Sequence, residues 1–476
     1  MLVGQFPLPY LPLLHLDLRH YGRVPQRVSR YGQQKHHVSL AQITIARQLL
    51  VLSWGINIFN VKKYCYNTTV NIFKTIISNT SAQVVSRIVS SGTGFLITIL
   101  IARSFGIGGY SDLAKITAFV GLFYLGIDLG ANAIFLQFEK HQQKFQELLW
   151  TRFFLATALF LFVCLLVFFL PYNAATTSGY SPFVKVGILL FSLSFFSRSV
   201  TYSTSALFQQ QFSYKLATIA SFANSITTLI FLSSFLYFHF SLEWVIAAYI
   251  VGSFAEAGIS LFLAKQKIIP TIPSKEFIRN IFFATLPLTI LLFLNLIYFR
   301  VDMVLLTFLQ KSSDVGVYDF AYKFFDFLIA LPLFLSNSLY PMLLAREKNS
   351  RISIKNISLY TSIFFSLGLF LIPFVWVLSP LLGFVKEDFT ASIFPLRLLS
   401  LSLPIFFATN ILQWIFITKK KQTFLVCVYA ISLVINVLLN FIFIPQYSYV
   451  ASAIITGLSE LVILFAMITY ILVKKI

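Results

Sequence analysis

Residues 298–332 read YFRVDMVLLTFLQKSSDVGVYDFAYKFFDFLIALP. Two apolar runs flank a short polar turn, QKSSD at 310–314, and both runs carry charges. A bilayer core about 30 Å thick needs roughly 20 apolar residues per helical span. The runs on either side of this turn reach that length, from 281 to 310 and from 317 to 344. The stretch reads as a helical hairpin in lipid, and its charges are what needs explaining.

The rest of the chain repeats the pattern. Of its 476 residues 58% are hydrophobic and only 11% charged, the balance of an integral membrane protein. Backbone polar groups in lipid must pair within their own element, and strict apolar alternation is absent, so helices are expected rather than a barrel. Twelve spans follow one another: 80–103, 112–136, 149–170, 183–206, 214–237, 243–264, 281–310, 317–344, 358–382, 391–417, 422–443 and 449–473. The fold class expected is an all-α polytopic membrane protein.

The net charge of +20 suggests nucleic acid at first. The basic residues lie instead in short loops and in the leading segment, which excludes a nucleic-acid face. With a cytoplasmic N-terminus, sixteen Lys and Arg fall in inside loops and only Arg103, Lys311 and Lys386 outside, so both termini are expected in the cytoplasm. Cys65, Cys164 and Cys427 have no disulfide or metal-site spacing. No metal ligand set, nucleotide-binding Gly-Lys-Ser/Thr loop or catalytic residue is expected.

Residues 1–73 differ from the remainder: they hold four of the six histidines and a single acidic residue, Asp17. They read either as a basic extension, disordered or peripheral to the membrane, or as a translated region upstream of the start. The longest inside connection, near 265–280, divides the rest into six-span halves, 74–270 and 271–476. A faint internal repeat supports the division. RSFGIGGYSDLAKITAFV after the first span parallels QKSSDVGVYDFAYKFFDFL after the seventh, about 207 residues on, and Glu256 and Glu460 recur in the sixth and twelfth spans. Two repeated bundles with a path between them are the mark of a transporter.

Ionisable residues inside the spans are Arg87, Asp128, Arg198, Glu256, Arg300, Asp302, Asp319, Lys323, Asp326, Arg397 and Glu460. An unpaired charge at the bilayer centre costs at least ~2.5–3.5 kcal/mol, so these residues line a wet cavity or pair between helices. On a continuous helix Arg300 and Asp302 point about 200° apart and cannot neutralise each other. Counted from the outer turn at ~1.5 Å per residue, Arg300 and Asp326 lie ~15 and ~13 Å deep, and Asp302 and Lys323 ~12 and ~9 Å deep. Cross-helix pairs Arg300–Asp326 and Asp302–Lys323 are expected. Arg87 and Asp128, at ~24 and ~25 Å, form the analogous pair of the first half. Arg198 and Arg397 have no partner at matching depth on a neighbouring span and read as free cations. Glu256 and Glu460 either carry H+ or Na+ in a coupled transporter or pair structurally. Pro287, Pro332, Pro341, Pro373, Pro395 and Pro404 are the expected bends of the second half.

At this point the residues resemble a family. YFRVDMVLLTFL, DVGVYDFAYKFFDFLIALP and LYPML are similar to polysaccharide flippases of the multidrug/oligosaccharidyl-lipid/polysaccharide exporter superfamily, which carry Arg-x-Asp in the seventh span and Gly-x-Tyr-x-x-Ala-Tyr-Lys entering the eighth. INVLLNFIFIPQYSYVASAIITGLSE and ILIARSFGIGGYSDLAKITAFVGLFYLGIDLGANAIF extend the resemblance over 75–473. One departure is at Gln446–Tyr449, where the family often has a Gly-rich turn. The resemblance implies two six-helix bundles around a V-shaped cavity in the bacterial inner membrane. It also implies passage of an undecaprenyl-diphosphate-linked oligosaccharide between leaflets for surface polysaccharide such as O-antigen, with a polysaccharide polymerase and other assembly proteins as partners. Arg87, Arg198, Arg300, Lys323 and Arg397 are then the candidates for contacting diphosphate or sugar.

Three rival readings stand beside it. A cation-coupled drug exporter favours an acidic, aromatic pocket over several deep arginines. A lipid II flippase typically has more than twelve spans. A membrane polysaccharide polymerase is expected to present a long external loop, and no outer connection here exceeds roughly a dozen residues.

Overall fold

The computed structural model describes residues 61–136, 141–211, 213–350 and 352–474; the side chains of 61–89 and of scattered later positions, Pro287 and Pro341 among them, lie outside that description. The chain divides into a small unit that ends at Ser81 and a large one that runs from Ala82. The small unit is described only from Val61, where it is helical. The extension expected at 1–73 lies almost wholly outside the described residues.

In chain order the elements are α1 (Val61–Asp128), α2 (Ala131–Phe135), α3 (His141–Phe169), β1 (Tyr172–Asn173), β2 (Ser178–Gly179), α4 (Pro182–Ser192), α5 (Ser194–Gln210), α6 (Tyr214–Tyr237) and α7 (Leu242–Ala264). There follow α8 (Lys275–Tyr298), α9 (Val301–Leu309), α10 (Ser312–Ser350), α11 (Ile354–Leu378), α12 (Leu381–Val385), a 3-10 turn at Glu387–Ser392, α13 (Ile393–Leu401), α14 (Leu403–Thr418) and α15 (Gln422–Lys474). Seven described helices are long and apolar enough to cross a membrane, and nine if each bent pair counts as one span.

Two of the long helices are broken, and one of them folds back on itself. In α15, Asn436 Nδ2 donates to Ser459 Oγ at 3.1 Å and Ser432 Oγ donates to the Ser459 carbonyl at 2.8 Å. A straight helix would hold Asn436 and Ser459 about 35 Å apart. The reversal lies midway, at Ser448, whose backbone is non-helical (φ 49, ψ −137). It falls in Gln446–Tyr449, where the sequence departs from the Gly-rich turn that the resembling family often has. Serine carries the left-handed backbone there, and its hydroxyl donates to Asp314 Oδ2 at 2.5 Å. In α1 the break is at Gly106 (φ 65, ψ −168), a conformation glycine adopts without Cβ strain. With both long helices divided at their breaks and with α10, each of the twelve runs read from the sequence finds a helix. The one addition is the small antiparallel hairpin β1–β2, which the Lys115 ammonium ties to the second span by donating to the Gly179 carbonyl at 2.9 Å.

The expected bends lie only partly at prolines. The seventh span bends by 45° between α8 and α9, at Phe299–Arg300, with no proline there. The tenth bends by 44° between α13 and α14, where Pro404 sits in the first turn. Arg300 leaves helical geometry (φ −131, ψ −10), and the Asp302 carboxylate accepts from the Met303 N–H at 2.7 Å, which holds the start of α9.

Close helix approach depends on small residues. A Cβ on Gly368 would lie 2.6 Å from Pro404 Cα and 2.8 Å from the Leu403 carbonyl, backbone that cannot swing aside. Gly368→Ala is expected to destabilise the α11–α14 packing by about 1–3 kcal/mol, read as a lower melting temperature in detergent.

The two halves join along spans one, two, seven and eight. At the end that holds the β hairpin, Tyr110 donates to Asp319 at 2.7 Å, Ser111 donates to the Ser312 carbonyl, and Tyr180 meets Phe308 edge to face. Deeper, Phe95 packs on Phe324, Leu125 clusters with Leu292 and Leu296, and Thr289 donates to the Leu129 carbonyl at 2.8 Å.

Candidate transport site

The bend in the seventh span sets the site. It places Arg300 between two helix ends, where its guanidinium donates through Nη2 to Asp326 Oδ2 at 3.0 Å and lies over the Tyr322 ring, 5.6 Å from its centroid. This is the cross-helix pair expected from depth. It is joined by one hydrogen bond only, and Asp326 Oδ1 and the Tyr322 hydroxyl have no hydrogen-bond partner among the described residues. Arg300 keeps donors for a further acceptor, in the fork that suits carboxylate and phosphate.

The second expected pair does not form. Asp302 is buried and accepts from Tyr318 and, at 3.3 Å, from Thr456 of the twelfth span. Lys323 lies instead 3.9 Å from Asp319, one turn back on its own helix. The expectation placed Asp302 on a straight helix, and the bend carries it away from the eighth-span lysine into a cluster of hydroxyls.

In the first half one expectation is corrected, that for Arg198, and the other, the pair of Arg87 with Asp128, falls on a side chain outside the described residues. Asp128 pairs with Arg152, at 2.9 Å, which also donates to the Asp128 carbonyl and to Asn132 Oδ1; the Arg87 side chain lies outside the described residues. Arg198 is not a free cation. It reaches past the fifth span to Glu256 at 3.2 Å and stacks over Tyr124, 5.3 Å from the centroid. Glu256 also accepts from Ser221 at 3.1 Å and Asn224 at 2.9 Å. The pairing was hidden because spans four and six pack together although span five separates them in sequence. Arg397 has no carboxylate partner among the described residues, and it donates to Ser379 Oγ at 2.9 Å and to the Trp376 carbonyl at 3.3 Å.

Glu460, at the repeat position of Glu256, differs from it. It is buried and accepts from Tyr298 at 2.9 Å and from Thr409, both neutral donors. Asp302 and Glu460 therefore form two carboxylates at the bend of the seventh span, four residues from Thr456 in one case and bonded to it in the other, each held by hydroxyls rather than by a cation. No group of three or more metal-ligating side chains occurs among the described residues.

Several members of the site were not singled out from the sequence: Arg152, and the hydroxyls of Tyr298, Tyr318, Thr409 and Thr456. Arg152 stands at the start of the third span, where a charge reads as interfacial. The tyrosines carry a usable signal, since Tyr318 and Tyr322 are four apart and share a face of α10 with Asp319, Lys323 and Asp326 nearby.

Residues 74–345 match the family described as "Polysaccharide biosynthesis protein". No curated protein matches the chain. Among solved structures, the lipid II flippase MurJ in an inward closed conformation is similar with a TM-score of 0.65 at 18% identity, covering 84% of this chain and 87% of that one. An inward-facing multidrug resistance MATE family transporter of the MOP superfamily gives a TM-score of 0.66 at 12% identity over 81% and 96%. A MOP superfamily transporter from Pyrococcus furiosus gives 0.52 at 13% identity over 84% and 95%. These structures share the fold of two six-helix bundles around a central cavity. The chain thus belongs to the polysaccharide biosynthesis protein family, with the fold of the multidrug/oligosaccharidyl-lipid/polysaccharide exporter superfamily.

Proposed function

We propose that the protein moves an undecaprenyl-diphosphate-linked oligosaccharide across the bacterial inner membrane by alternating access. The observation that carries this reading is Arg300, held at a helix break inside the membrane by a single bond to Asp326 and backed one turn from Asp326 by Lys323. Two cations on adjacent spans suit the diphosphate. The lysine-rich loops and both termini face the cytoplasm by the positive-inside rule, which puts the β-hairpin end outside. A polysaccharide polymerase and other assembly proteins are the partners this reading calls for. The pair Asp302 and Glu460 serves as the coupling site: a buried carboxylate with only neutral donors exchanges H+ or Na+ at less cost than one locked to arginine.

The test is reconstitution in liposomes with undecaprenyl-diphosphate oligosaccharide on one leaflet. The expected result is transfer accelerated by an H+ or Na+ gradient, with Glu460→Gln losing about tenfold or more of the gradient response while its donors still find the amide oxygen. Equal transfer of lipid II and no transfer of the oligosaccharide would turn the reading to a peptidoglycan precursor. Gradient-driven efflux of cationic drugs in place of either would turn it to a drug exporter.

A further inference from the structure

The repeated turn of the two halves meets itself at the β-hairpin end. Gly-x-Tyr at 108–110 and Gly-x-Tyr at 316–318 stand 208 residues apart, and the residues that follow, Lys115 and Lys323, keep that offset. The two tyrosines do different work. Tyr318 donates within its own half, to Asp302, whereas Tyr110 crosses to the other half and donates to Asp319 at 2.7 Å. Ser111 donates to the Ser312 carbonyl, and a Cβ on Gly316 would lie 3.0 Å from the Ile107 carbonyl, so the halves touch backbone to backbone. The aromatic rings of Tyr110, Phe320 and Phe389 close over this contact.

Asp319 is the exacting member of this closure. Its side chain is 3% exposed, and its one salt-bridge partner among the described residues is Lys323, 3.9 Å away and 33% exposed; Arg300, already bonded to Asp326, acts on it only from farther off. Lys323 follows Asp319 by one helical turn, the favourable order for such a pair. A buried carboxylate that keeps a cation is tolerated; one that loses it strongly destabilises the state that buries it.

We infer that Lys323 couples anion binding to release of this latch. The inference rests on the proposed anionic lipid and adds how its arrival opens the other end. A diphosphate beside Arg300 draws the Lys323 ammonium off Asp319. Asp319 is then left buried against Tyr110 without its ion-pair partner, and the end that buries it opens so that water can reach the carboxylate. Tyr110, Asp319 and Gly316 are positioning residues of the closed end, and Lys323 is shared between ligand and latch.

The experiment reads distance and needs no transport. Spin labels at Thr176 and Glu387, exposed positions of the two halves at this end, are placed in a chain whose native cysteines are replaced, and electron double resonance in nanodiscs gives the closed and open populations. Lys323→Met without ligand is expected to shift the closed-to-open ratio by about tenfold or more toward open, and Lys323→Arg to leave it closed. In an Asp319→Asn background, Lys323→Met is expected to add nothing, because no charge is left to compensate. Undecaprenyl diphosphate is expected to open the unsubstituted protein and to have little effect on Lys323→Met. An unchanged distribution in Lys323→Met, or equal opening with Asp319 already neutral, overturns the latch. Opening by Lys323→Met, together with an unsubstituted protein that does not respond to undecaprenyl diphosphate, keeps the Lys323–Asp319 latch and overturns the diphosphate ligand instead.

Discussion

Arg300→Ala is expected to reduce transfer of the lipid-linked oligosaccharide by about ten- to a hundredfold, the effect of losing a hydrogen bond between charged groups worth roughly 1.5–3 kcal/mol. The same substitution strands Asp326, whose Oδ1 already lacks a partner among the described residues, so a loss of activity alone does not separate binding from folding. The double variant Arg300→Ala/Asp326→Ala does. If Arg300 only ties the seventh span to the eighth, removing both charges restores much of the stability and the transport together. If it holds the anion, stability returns and transport does not. Arg300→Lys is expected to fall between, because an ammonium keeps the charge but lacks the fork and the planar contact with Tyr322. Surface polysaccharide in a flippase-deficient strain, measured beside detergent melting of each variant, reads both quantities.

The contrast between the pairs foreseen and the pairs missed has a physical pattern. Arg300–Asp326 was legible because both residues are reached from one short turn, so counting rise along two helices gives their depths before the bend at Phe299–Arg300 matters. Asp302–Lys323 required facing as well as depth, and facing is what a 45° bend changes. The pair Arg198–Glu256 needed the packing order of spans four and six, which no spacing along the chain encodes. Twelve crossings were readable from apolar length alone, and so was the reversal near 445–449, although Ser448 rather than glycine makes it. The Tyr110–Asp319 contact was within reach, since both residues lie in the repeat the sequence reveals; what was missing was that the two copies of the turn touch each other.

The largest effect on stability belongs to a residue outside the spans' expected charge list. Arg152 has a side chain only 2% exposed, and its Nη2 donates to the Asp128 carboxylate at 2.9 Å, to the Asp128 carbonyl at 3.0 Å and to Asn132 at 2.9 Å. These bonds hold the end of α1 to α2 across Leu129 and Gly130, both with positive φ (51° and 61°), and so fix where the second span stops. Arg152→Ala leaves the Asp128 charge unpaired and is expected to cost about 3–5 kcal/mol, as breaking a buried pair does. Its own burial is also costly, because Nε and Nη1 have no hydrogen-bond partner among the described residues. Arg152→Met/Asp128→Asn removes both charges and those two idle donors while keeping side-chain volume. It is expected to melt at or above the unsubstituted protein, whereas Arg152→Ala melts far below it. A single variant that melts with the parent would mean that the pair holds nothing together, and a double variant that melts as low as the single would mean that the hydrogen bonds to α2, rather than the compensated charge, carry the stability.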